Sequence, residues 1–129
     1  VVTTGGTPTL TLNVGGVSKT ATYAGGSGGT ALTFSYTVGA GDTDTNGISI
    51  GANALLLNGG TIKDTAGNAA TLAHALVSDN TSYLVDTTAP LVSSFATSVA
   101  TSSYVVAGSQ MTITATTDQS VVAGSTMSA

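Results

Sequence analysis

The chain has 129 residues and a formal net charge of −4, with six Asp, two Lys and no Glu, Arg or Cys. Only 6% of its residues are charged, against about 25% in an ordinary soluble domain. A disulfide framework and a thiolate metal site are therefore excluded, and the acidic balance argues against nucleic acid and anionic membranes as partners. Mean hydropathy is positive, yet no apolar run reaches the ~20 residues that a spanning helix needs, so no membrane insertion is expected. The length suits one domain's core. No signal peptide begins at Val1, so any export signal is expected outside these residues or already removed.

Period-two alternation marks half-buried strands along the whole chain. Leu10, Leu12 and Val14 alternate with Thr9, Thr11 and Asn13, and Ala21 and Tyr23 with Thr20 and Thr22. The clearest predicted strand spans 31–38, where Leu32, Phe34, Tyr36 and Val38 share one face. Leu10, Leu12, Leu32, Phe34, Tyr36, Ile48, Met111 and Ile113 are expected to line the core between two sheets. Ile48 and Ile50 follow, then Leu55 to Leu57. Residues 66–77 are Ala-rich and read as a short helix or a loop. Gly-rich breaks at 15–16, 25–29, 39–41 and 59–60 separate the strands, a spacing that indicates a sandwich.

Val85-Asp86-Thr87-Thr88-Ala89-Pro90 reads as a joint, because the residue before Pro is held extended and the segment is semi-rigid. It leaves 39 residues beyond Pro90, too few for a second ordinary β-domain. In that piece Val105 and Val106 predict a short strand, and Met111, Ile113 and Ala115 alternate with Thr112, Thr114 and Thr116. Val121-Val122-Ala123-Gly124-Ser125-Thr126 resembles Val1-Val2 followed by Gly5-Gly6-Thr7, which implies a period of about 120 residues.

Three groups of segments carry a resemblance. Gly5-Gly6-Thr7-Pro8 through Leu12 leads into Leu32-Thr33-Phe34-Ser35-Tyr36-Thr37-Val38. Gly41-Asp42-Thr43-Asp44-Thr45-Asn46-Gly47-Ile48 and Leu57-Asn58-Gly59-Gly60-Thr61-Ile62-Lys63-Asp64 come next, and the Val85 to Pro90 joint closes the series. In this order they resemble the immunoglobulin-like repeats of giant, RTX-adhesin-like bacterial surface proteins. The resemblance implies an all-β, immunoglobulin-like antiparallel β-sandwich, cut out of phase so that strands are exchanged between neighbouring repeats or subunits. Residues 1–86 would form the major part of one sandwich and 87–90 the joint. Residues 91–129 would be the first strands of the next unit, or donor strands completing a neighbour. Val92, Phe95, Val105, Met111, Ile113 and Val121 are the apolar residues expected to carry that assembly. The implied location is extracellular or on a bacterial cell surface, with identical repeats or subunits as head-to-tail partners.

Asp42-Thr43-Asp44-Thr45-Asn46-Gly47 copies the first half of a calcium loop, with oxygen side chains at alternate positions and Gly at the turn. The position for a bidentate Glu holds Asn53, so an EF-hand is not expected. Two readings stay open: Ca2+ held by Asp42, Asp44 and Asn46, or an Asn46-Gly47 hairpin turn with both Asp capping loop amides. Asp86 in the joint reads as a bridging calcium ligand or as a turn cap. Asp64-Thr65-Ala66-Gly67-Asn68 reads as an Asx-type turn, and Asn80-Thr81-Ser82 fits a glycosylation sequon. Catalysis finds little: His74 is the only His, among Ala and Leu, and no nucleophile elbow is present. No enzyme is expected. A stalk repeat and a filament subunit share the leading expectation, with a glycan-binding β-sandwich module as the alternative.

Overall fold

The computed structural model describes residues 2–98 and 104–122. Twelve strands and no helix occur among them: β1 (Val2–Thr4), β2 (Thr9–Val14), β3 (Val17–Gly25), β4 (Thr33–Ser35), β5 (Thr43–Asp44), β6 (Ile48–Ile50), β7 (Leu55–Leu56), β8 (Thr61–Lys63), β9 (Val77–Asn80), β10 (Val85–Asp86), β11 (Val92–Thr97) and β12 (Ile113–Thr117). Every pairing is antiparallel, and the main sheet is curled, as in an all-β sandwich. The chain divides into two compact units, Val1–Thr88 and Ala89–Ala129.

In the first unit, the main sheet runs β4-β3-β2-β6-β9, with β7 also pairing with β2. Its centre is the β2–β3 hairpin, in register from Thr9↔Thr22 to Val14↔Val17. Gly15 and Gly16 close that hairpin, both with positive φ (56° and 84°), the geometry of the tight primed turns that match strand twist. A Cβ on Gly15 would lie 1.8 Å from the Thr43 carbonyl oxygen, so no other residue fits there.

Register sorts the side chains. Directly opposed residues share a face, so Leu10, Leu12 and Val14 lie with Ala21 and Tyr23, and Tyr23 lies with Phe34 across β4. The Tyr23 and Phe34 rings meet edge to face, 6.0 Å apart. Asn13 pairs with Ser49, which puts Ile48 and Ile50 on that same apolar face. The other face carries Thr9, Thr11, Thr20 and Thr22. Two short ribbons accompany the sheet: β1–β8 contributes buried Ile62, and β5–β10 contributes buried Val85. With Val14 and Ala21 these are the buried hydrophobic residues of the described chain.

Several expectations change here. The long strand over 31–38 shortens to β4, because only its first half finds a partner on β3. Of the two readings for 66–77, the loop is the one found, touching β8 through the Lys63↔Ala69 bridge before Val77 opens β9. Asn46-Gly47 is not a hairpin turn, since β5 pairs with β10 while β6 pairs with β2 and β9. Val105 and Val106 lie outside any strand.

The second unit is a β11–β12 hairpin. Its open end is fastened by Asp118, whose Oδ1 accepts from Leu91 N at 2.7 Å and whose N–H donates to Leu91 O at 3.1 Å.

Candidate functional site

Two features of the first unit gather the residues that the sequence singled out: a polar knot at Asp42 and Asp44, and the open apolar face beside it.

Asp42 is 6% exposed. Lys19 Nζ lies 2.6 Å from its Oδ1, and its Oδ2 accepts from Gly39 N at 2.8 Å and from the Tyr36 hydroxyl. Lys19 sits on β3 directly opposite Leu12, on the apolar face, so Asp42 neutralises a cation that would otherwise be poorly placed there. These partners favour the charged carboxylate. Lys19, then the Tyr36 hydroxyl and the Gly39 amide, bring Asp42 down to about 2 from an ordinary 3.8. The same contact with Asp42 pushes both the Lys19 ammonium and the Tyr36 phenol up.

Asp44 is more enclosed still, at 2% exposed. Its Oδ2 accepts from Gly15 N at 2.8 Å, and its Oδ1 from Gly47 N at 2.7 Å and Asn46 N at 3.2 Å. Those amides, Gly15 first, hold its carboxyl below the usual range. Asp44 thus pins the β2–β3 turn to the loop that leads into β6. Gly47 has φ 104°, and a Cβ there would stand 2.1 Å from the Asn80 carbonyl oxygen.

The calcium residues are therefore not gathered around one point. Asp42 turns towards Lys19, Tyr36 and Gly39, Asp44 towards three backbone amides, and Asn46 donates through Nδ2 to Asp79 Oδ2 at 2.5 Å. Among the described residues no group of three or more His, Cys, Asp or Glu is placed to hold a metal ion. As folded, the loop does not fit a calcium cage. Asp86 pairs with Thr43 across the β5–β10 ribbon and caps the joint, accepting from Thr88 N at 2.9 Å. Sequence pattern alone did not point to Thr87. Its Oγ1 accepts from Gly41 N at 2.9 Å and donates to Asp42 O at 3.0 Å, which fastens the start of the joint to the Asp42 loop.

His74 is structural. Ala54 N donates to its Nε2 at 2.9 Å, which leaves the proton on Nδ1 to be donated to Ala75 O at 2.8 Å. Asp64 forms the Asx-type turn, with Asn68 N on Oδ1 and Asn68 Nδ2 on Oδ2, both at 2.8 Å.

Beside the polar knot lies an apolar groove of about 450 Å³. Leu10, Leu12, Phe34, Ile48 and Ile50 form its floor, Val38 and Val77 its sides, and Tyr36 links it to Asp42. Its floor side chains are half-buried rather than enclosed. Of the apolar face of the main sheet, Val14 and Ala21 are enclosed within the first unit and the floor residues of the groove are not.

The assembly residues belong to the second unit. Val92 and Phe95 lie on β11 and Ile113 on β12, Met111 just precedes β12, and Val121 follows it. Phe95 is 68% exposed and Ile113 59%; Met111, Val105 and Val121 are also exposed, and Val92 is half-buried. Helices long and apolar enough to cross a membrane are absent among the described residues. Compared with known proteins, the chain matches no family model, no curated protein and no solved structure.

Proposed function

We propose that this chain is a structural repeat or subunit of an extracellular bacterial fibre or adhesin, built from immunoglobulin-like sandwiches and extended by head-to-tail contacts. One observation carries the reading: beyond the enclosed Val14 and Ala21, the apolar face of the main sheet is only half-buried within the first unit, where Leu10, Leu12, Phe34, Ile48 and Ile50 line a groove. A contiguous apolar surface of this kind marks a place where another molecule packs. Low charge and an outer face of Thr suit a surface whose role is mechanical. The titratable side chains bond to structural partners, Asp42 to Lys19, Asp44 to backbone amides and His74 to loop backbone.

Sedimentation of the purified chain over a concentration series tests the reading. Growth into species well beyond the 12.4 kDa chain is expected. A chain that stays monomeric up to millimolar concentration would overturn it. The mass of native material dissociated in denaturant then separates a free subunit from a covalent array.

A further inference from the structure

Resting on the fibre reading, we infer that the open groove is the seat of the β11–β12 hairpin of a second copy of this chain, laid face-on with Val92, Phe95 and Ile113 pointing into it. The register of the hairpin gives it two unlike sides. Phe95 opposes Ala115 and Thr97 opposes Ile113, so these share a side. The irregularity between Val92 and Ser94 adds one residue, and that extra residue returns Val92 to the Phe95 side opposite Thr117. The reverse side carries Ser94, Ala96, Thr114 and Thr116. One side is therefore built to pack and the other to face water.

A hairpin alone does not hold such a side. An isolated two-stranded ribbon is marginally stable at best and needs a packing partner. The groove is complementary in kind: its lining carries no charged side chain, and neither does the Val92–Phe95–Ile113 side. Lys19 lies on the same face and is already paired with Asp42, so the contact leaves no charge unpaired. Sheet packed on sheet, about 10 Å apart with inner faces interdigitated, is the arrangement two such surfaces form.

The sequence itself singles out this occupant. Val121 to Thr126, just beyond the hairpin, resembles Val1-Val2 followed by Gly5-Gly6-Thr7 at the start of the grooved unit. In the order that this resemblance implies, a hairpin of this sequence stands immediately ahead of a sheet of this sequence. Groove and hairpin are different surfaces, so the contact is heterologous, and with a rotation that does not close a ring it propagates into a fibre.

Two variants at positions exposed in the lone chain test the pairing without threatening its fold. Ile113→Asp charges the packing side of the hairpin, and Val38→Asp, at a position 46% exposed, charges the side of the groove. Each is expected to weaken self-association about a hundredfold. Thr114→Asp, on the reverse side of the hairpin, should leave it within about twofold. An equimolar mixture of the Ile113→Asp and Val38→Asp chains retains one good groove and one good hairpin. It is expected to give a discrete heterodimer that does not grow. If Val38→Asp abolishes association while Ile113→Asp does not, two grooves pack on each other and the hairpin is the wrong occupant. Equal sensitivity to Thr114→Asp, or no heterodimer in the mixture, also overturns the inference, and both leave the fibre reading standing. A wild-type chain that never associates overturns both.

Discussion

At the scale of single residues, Asp42 and Asp44 do different work although they stand two apart. Asp42 neutralises Lys19 on an apolar face, and Asp44 ties the Gly15 amide to the Asn46-Gly47 bend. The depressed Asp42 value gives a signed pH dependence. Its contribution to stability is complete above the ordinary carboxylate value of 3.8 and is lost as pH falls through about 2. Thermal midpoints measured between pH 5 and pH 2 should fall in the wild type, and Asp42→Asn should show a shallower fall from a lower starting point. Calcium would have to displace Lys19, Tyr36 and the loop amides to use these oxygens. Millimolar calcium, set against excess chelator, is expected to leave the midpoint unchanged. A rise of several degrees that disappears in the Asp42→Ala, Asp44→Ala double variant would show that the loop reorganises around the ion.

Among the elements, burial is uneven: Val14 and Ala21 of the large sheet and Ile62 and Val85 of the short ribbons are enclosed, while the floor residues of the groove are not. Ile62 on β8 is 6% exposed, so Ile62→Ala should cost about 2–5 kcal/mol in urea unfolding of the dilute chain. Phe34 belongs to a longer apolar pattern, but its ring lies on the open groove. Phe34→Ala should therefore cost well under the ~3–5 kcal/mol of an enclosed Phe in the dilute chain, and approach that range only once the chain has assembled. Equal costs at low and high concentration would mean that the groove stays empty. Alternation was legible at Phe34, whereas Ile62 stood only within the Leu57 to Asp64 segment. What covers each residue was not, because period two reports the side of a strand and says nothing about the next layer.

For the whole molecule, a small number of charges sets the character of association. With 6% charged residues and an uncharged groove lining, contact between copies rests on apolar burial rather than on ion pairs. Raising sodium chloride from 0.1 to 1 M shortens the screening length from about 10 to about 3 Å. Self-association measured by light scattering should hold or strengthen over that range. A steep loss with salt would point to an electrostatic contact elsewhere on the surface.

Taken alone, the sequence determined that the protein is all-β, because Thr, Val and Gly in period-two runs favour extended chain and tight turns over helix. It also determined which side chains share a face: Leu10 with Leu12 and Val14, Thr9 with Thr11. Tertiary structure decided the rest. The predicted strand over 31–38 shortened to Thr33–Ser35 because a strand exists only where a neighbour takes its hydrogen bonds. The amide that satisfies Asp44 comes from Gly15, 29 residues earlier, and the Lys19–Asp42 pair joins a strand to a distant loop. Spacing in the chain cannot announce such partners, since sheet register and loop path bring them together. The same holds for the core. Alternation assigned Leu10, Leu12, Phe34 and Ile48 to an interior, and the fold left them half-buried while enclosing Val14 and Ala21 on the same face, because depth depends on what the next layer covers.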